Sequence, residues 1–185
     1  MQWLDDFTAR CRRAIAEGGG PEQIRVLVEQ VLPAQAASPI QSETDTIVHR
    51  SNELLIVSLA VPPFGNTPVH SHGGIWCVIG VAQGCEENAL FARAGSGLVE
   101  ARRIVLEPGA TTVLAPDAIH KIRNPRATPC IGLHVYGADL LSAERQMWNP
   151  HTGEESPMQP LQFDAWCDEL TAAAAAAPGG AAPGW

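Results

Sequence analysis

An all-β core, a sandwich or barrel, with N-terminal helices ahead of it and a short C-terminal helical segment behind it, is the fold class this sequence predicts. Three observations carry that expectation. From about residue 45 to residue 136, short β-rich runs alternate with Gly/Pro turns. Before that stretch the apolar residues recur at helical spacing. The length of 185 residues, 45% of them hydrophobic, suits one core, since single cores run to roughly 100–200 residues.

The first 36 residues read as a helical layer packing on the barrel. Trp3, Leu4, Phe7, Cys11, Ala14 and Ile15 repeat at helical spacing, and Gly18-Gly19-Gly20 ends that helix. Pro21 suits the first position of a second helix, with Ile24, Leu27, Val28 and Val31 on its apolar face. Pro33 is expected to close it and to open an Ala/Ser/Pro linker running to Pro39. The barrel is expected over residues 37–148, with strands at 54–61, 74–81, 89–94, 98–106, 111–114, 118–122 and 131–136. Pro62-Pro63, Gly84, Pro108-Gly109, Pro116-Asp117 and Asn124-Pro125 supply turns between them. Many short strands at this spacing close into a sandwich or barrel. Residues 149–185 form a C-terminal extension. It begins with a helix around 161–171, with Leu161, Phe163, Trp166 and Leu170 as its buried side, and ends in an Ala/Gly/Pro-rich tail, disordered or a frayed helix end.

Charge and cysteine usage narrow the function classes. A formal net charge of −8 makes nucleic acid a poor partner, because phosphate binding needs a basic surface. No apolar run approaches the roughly 18 residues of a membrane span. Met1-Gln2-Trp3-Leu4-Asp5-Asp6 carries acids where a signal peptide needs bases, so the expected location is cytoplasmic. Five cysteines (Cys11, Cys77, Cys85, Cys130 and Cys167) lie at irregular spacing with no Cys-x-x-Cys, which fits neither a disulfide framework nor a structural zinc site.

The stretch from Gly65 to Gly84 carries the chemistry. Alternate residues of a strand face the same way, so His70 and His72 would project together and supply half of a transition-metal site. A bare His-x-His also reads as two unrelated histidines near a turn. The second stretch, Pro116 to Asn124, offers His120 on a later strand of the same β-domain, where a third ligand is wanted.

Taken together, the two stretches resemble the two motifs of the cupin superfamily, over roughly residues 54–136. The resemblance implies a double-stranded β-helix, a jelly-roll barrel. The spacing from His72 through Cys77 to Gly84 matches the first motif. Gly65 and Pro116 each stand one residue closer to their histidine than the usual pattern, and Ala118 replaces a frequent glycine. Cys77 stands where cupins usually carry a glutamate ligand, so either the site has lost a fourth ligand or it is a three-histidine site by design. Three neutral imidazoles leave Fe(II) its full charge and open positions, which suits an anionic thiolate substrate better than hydrolytic zinc chemistry.

Gly132, His134 and Tyr136 share one strand face, and a histidine two residues before a tyrosine can orient the phenol as a proton donor. The His-x-His, the distal His120 and the run from His134 to Asp139 look like the thiol dioxygenases, cysteine dioxygenase and its bacterial relatives acting on 3-mercaptopropionate. That resemblance implies Fe(II) held by His70, His72 and His120, with His134 and Tyr136 as the last two of a Ser-His-Tyr trio whose serine position is here Gly132. It implies a small thiol and dioxygen as reaction partners, a thioether between Cys77 and Tyr136, and a carboxylate clamp at Arg145, the spacing found in the mercaptopropionate-type enzymes. Arg50 is a second candidate clamp, and an inert buried Cys77 and a surface Arg145 are the plainer readings. Lys121, His49 and His151 are expected at the surface, and Trp148 to wall the pocket or cover the barrel mouth. Two further functions fit the same residues: a cupin dioxygenase acting on a carbon substrate such as a β-diketone, and a metal-loaded cupin that binds a ligand without turnover.

Overall fold

The computed structural model describes residues 1–37, 44–95 and 97–177. Residues 38–39 of the expected linker and 178–185 of the expected tail lie outside them. Two helices lead, α1 (Gln2–Ala16) and α2 (Pro21–Ala37). The strands follow as β1 (Thr46–Arg50), β2 (Leu55–Val61), β3 (His70–Ser71), β4 (Cys77–Gln83), β5 (Glu86–Ala94) and β6 (Gly97–Leu106). Next come β7 (Thr111–Leu114), β8 (Ile119–Arg123), β9 (Cys130–Tyr136), β10 (Gln146–Trp148) and β11 (Glu155–Pro157), and α3 (Pro160–Ala176) ends the described chain.

Among the described residues the strands make two antiparallel sheets, in the orders β1-β2-β9-β4-β7 and β11-β10-β3-β8-β5-β6. The crossovers between non-consecutive neighbours are those of a jelly roll. One apolar cluster fills the space between the sheets, with Leu55, Cys77, Ile79, Leu114 and Tyr136 among its members. A second cluster lies on the outer face of the β9–β4 sheet, where Ile56, Val78 and Val135 meet Phe7, Ile24, Val28 and Leu32 of the helices. Central strands β4 and β9 are therefore covered on both faces, which is why their sequences read as continuous apolar runs. α2 approaches β4 so closely that a Cβ on Gly80 would stand 2.4 Å from Val28 Cγ1.

The elements depart from expectation at several places. Pro33 lies inside α2 and does not close it. Its ring faces solvent, while Leu32 and Gln35 beside it are buried and Gln35 Nε2 donates to Ser58 Oγ at 3.4 Å, so packing outweighs the lost backbone bond. β4 begins at Cys77 because Gly73 and Gly74 both turn at positive φ before it, and β5 begins three residues ahead of its expected start. β1, β10 and β11 are short strands that the patterning does not announce. In α3 the buried side is not centred on Leu161, which is 87% exposed. The inward stripe instead carries Phe163, Trp166, Cys167, Leu170 and Ala174.

Candidate metal centre

Strand register assembles the site. His70 on β3 stands directly opposite His120 on β8, and on its other side opposite Met147 on β10. Paired residues of an antiparallel ladder share a face, so His70, His120 and Met147 all point between the sheets. His72 follows two residues after His70 and is 1% exposed. Each of the three histidines offers one ring nitrogen, and these atoms lie within 4.8 Å of one another.

The ring nitrogens are sorted by their other contacts. His70 Nδ1 donates to the Pro68 carbonyl at 3.1 Å, and His120 Nδ1 donates to Asn88 Oδ1 at 2.9 Å. Both rings thus keep an Nε2 lone pair for a cation. His120 Nε2 stands 3.0 Å from His72 Nε2. Burial pushes the His70 ring down to about 4, and it holds His72 and His120 well below the usual histidine range, with neighbouring cationic groups acting in the same direction. Neutral, buried imidazoles converging on one point fit a transition metal, and the donor set is three histidines.

Across the barrel, β9 brings His134 and Tyr136 to the same interior, with the Tyr136 hydroxyl 3.4 Å from His134 Nδ1. The Tyr136 ring meets the His72 ring edge-on, centroids 5.3 Å apart. Cys77 on β4 is the register partner of Tyr136 on β9, and both are buried. Its thiol is pushed up by burial, against the pull of His134 beside it.

One partner of this group escaped sequence reasoning. His134 Nε2 lies 3.1 Å from Glu86 Oε2, with both side chains 1% exposed. Glu86 Oε1 accepts from Asn88 Nδ2 at 2.8 Å. Burial alone would lower the His134 pKa, but the Glu86 carboxylate, with the Cys77 thiol beside it, outweighs burial and pulls it up to about 10. The signal was the spacing Glu86-x-Asn88-x-Leu90 after Gly84: three alternate residues, the last opposite His120. The expected strand began at residue 89, which left Glu86 and Asn88 outside it.

Arg145 precedes Met147 by two residues, and it lines a cavity of about 570 Å³ together with His70, Tyr136 and Phe163. Its Nε is buried and has no hydrogen-bond partner among the described residues. Burial lowers its pKa from the usual arginine value. Phe163 of α3 sets its ring against His70 at 5.2 Å. Arg50 is not at this cavity. It makes a two-pronged contact to Asp139, with 2.9 Å from Nη2 to Oδ2. Trp148 is buried and takes Arg93 over its ring at 5.5 Å.

Two surface expectations are corrected. Lys121 points away from the histidines but is half-buried, with burial foremost in lowering its pKa. His49 is also half-buried, and its Nε2 is sequestered. His151 is exposed, where Glu169 meets it at 3.1 Å.

No protein-family model matches the chain. Among solved structures it is similar to a protein of Thermus thermophilus at 24% identity, covering 53% of this chain and 87% of that one, with a TM-score of 0.43. The cupin domain of Schizosaccharomyces pombe Cnp3 is 11% identical, with 52% and 61% covered and a TM-score of 0.44. An uncharacterized conserved protein with a double-stranded β-helix domain from Klebsiella pneumoniae is 15% identical, with 64% and 88% covered and a TM-score of 0.43.

Proposed function

We propose that this chain is an Fe(II)-dependent thiol dioxygenase that converts a small thiol carboxylate to its sulfinate. The observation that carries the reading is the cavity shared by a histidine of the triad, a tyrosine and an arginine whose buried Nε has no partner among the described residues. The reaction balances without a further reductant: the thiolate and one dioxygen give the sulfinate, sulfur losing four electrons and dioxygen gaining four. Fe(II) held by His70, His72 and His120 would bring thiolate and dioxygen together and carry the redox change.

The protein's own groups have separable tasks. Arg145 binds the substrate carboxylate, because a guanidinium fork matches it in charge and shape and its buried Nε has no hydrogen-bond partner among the described residues. Tyr136 donates a hydrogen bond to the developing oxygen charge, with its phenol aligned by His134. The carboxylate-bearing 3-mercaptopropionate meets these demands with one cation. A second reading, cysteine, draws on Asp45, Asp164 and Asp168 in the wall of the same cavity, which suit a substrate ammonium.

The test is oxygen uptake by the iron-loaded protein with 3-mercaptopropionate, cysteine and cysteamine in parallel. Uptake should be fastest with 3-mercaptopropionate. Cysteine in front supports the second reading, and cysteamine in front removes the role of Arg145. Arg145→Met should raise KM for a carboxylate substrate roughly 10–150-fold, the equivalent of about 1.5–3 kcal/mol for a hydrogen bond to a charged group, while leaving the iron content unchanged.

A further inference from the structure

The fate of the missing serine is written in the packing. A Cβ at Gly132 would stand 2.9 Å from the Gly80 carbonyl oxygen, so β9 and β4 leave no room there for any side chain. His134 Nε2 is nonetheless partnered, from the opposite sheet, by Glu86. The chain of contacts then runs on: Glu86 to Asn88, and Asn88 to the ring of His120.

The polarity of these bonds follows from what each group can do. An ionised carboxylate only accepts hydrogen bonds. Glu86 Oε2 therefore requires a proton on His134 Nε2, and Glu86 Oε1 requires the amide nitrogen of Asn88 to face it. With its nitrogen so committed, Asn88 turns its oxygen to His120 Nδ1, which must carry the proton and leave Nε2 bare. At its other end, His134 presents Nδ1 to the Tyr136 hydroxyl.

We propose that Glu86 is the positioning residue of this site, an acceptor-only carboxylate that fixes the proton placement of His134 on one side and, through Asn88, of His120 on the other. The inference rests on the metal-centre reading for the role of His120, but its geometry is independent of which substrate is oxidised. Glu86, Asn88, His120 and His134 are all buried to 0–1% exposure, so no water competes for these atoms. The titratable groups facing the pair are Cys77 from β4, Cys130 and Tyr136 from β9, Asp45 ahead of β1 and the three histidines, and Glu86 alone among them stands in contact with His134 Nε2, which raises the His134 pKa.

A neutral amide can serve one end of this chain but not both. In Glu86→Gln, an oxygen kept toward Asn88 sets an N–H against His134 Nε2 and strips its proton. The flipped amide keeps His134 protonated but forces Asn88 over and moves the His120 proton to Nε2. The experiment is nitrogen-15 histidine spectroscopy of the metal-free protein, paired with anaerobic Fe(II) titration. In Glu86→Gln the proton placement of His134 or of His120 changes, and Fe(II) binding weakens about 10–100-fold if it is the His120 end that moves. Asn88→Ala changes His120 alone, weakens Fe(II) to the same extent and leaves the His134 signals in place. Spectra of Glu86→Gln that superpose on wild type overturn the proposal, and so does Asn88→Ala shifting His134 while sparing His120. If Glu86→Gln does not fold, the Asn88→Ala result decides. Neither readout uses turnover, so an inactive protein with these spectra would refute the dioxygenase reading and leave the role of Glu86 standing.

Discussion

Burial lowers the pKa of every histidine inside this barrel, and the Glu86 carboxylate reverses the outcome at His134 alone, so their tasks differ. Among the described residues no carboxylate touches His70, His72 or His120, so desolvation wins and the rings stay neutral donors. His134 has Glu86, and the same dry surroundings that penalise a lone charge strengthen the pair. A protonated His134 directs Nδ1–H at the Tyr136 oxygen and frees the phenol proton for use elsewhere. Replacing Tyr136 by Phe should therefore lower kcat roughly 100-fold or more while iron content and KM hold, measured on the same preparation. The register pairing of Cys77 with Tyr136 leads to a second expectation. On aging with iron, substrate and dioxygen, the thiol S–H and a ring C–H give way to an S–C bond, the two hydrogens passing to dioxygen. Intact mass then falls by two hydrogens, and Cys77→Ser abolishes the change. At this scale the three clustered histidines, His134, Tyr136 and Arg145 are all legible as residue types at recognisable spacings. Glu86 and Asn88 are not, because their role depends on a contact across the barrel that neither neighbours nor periodicity encode.

Short strands in fixed register do most of the positioning. β3 has two residues, yet it places His70 between His120 and Met147, and the β10 register then sets Arg145 on the cavity side. Such strands are hard to read ahead of time, since two or three residues hold no period. Long elements behave differently. α1 and α2 show their stripes plainly, and α2 covers β4 with Ile24, Val28 and Leu32 buried to 0–2% exposure. Ile24→Ala should cost about 2–5 kcal/mol in urea unfolding, with Fe(II) affinity unchanged, since the helix lies on the far side of the sheet from the histidines. α3 misleads the eye because its most hydrophobic first-turn residue, Leu161, faces outward, and Phe163 makes the contact to His70. Phe163→Ala should open the cavity and speed the loss of bound iron to a chelator, with Leu161→Ala as the silent control.

For the molecule as a whole, the buried histidines set a pH profile of stability. Unfolded histidines titrate near about 6.5. His134, with its folded pKa pulled to about 10, contributes stability that is full below about 6.5 and is lost as pH rises through 10. His70, with its folded pKa pushed to about 4, and with it His72 and His120, removes stability as pH falls from about 6.5, because the unfolded rings take up protons that the folded ones refuse. The metal-free protein should therefore melt highest near about pH 6.5, and Glu86→Gln should flatten the alkaline side only. Fe(II) at about 100 times its Kd should add about 2.7 kcal/mol, visible as a rise in Tm that a chelator reverses. Addition of dioxygen to a thiol by this barrel, the proposed reaction, can be read from isotopically labelled dioxygen. With iron-loaded protein and 3-mercaptopropionate, one dioxygen should be consumed per thiol, with both labelled atoms in the sulfinate. Protein that holds iron on its three histidines yet consumes no dioxygen with 3-mercaptopropionate, cysteine or cysteamine would contradict it.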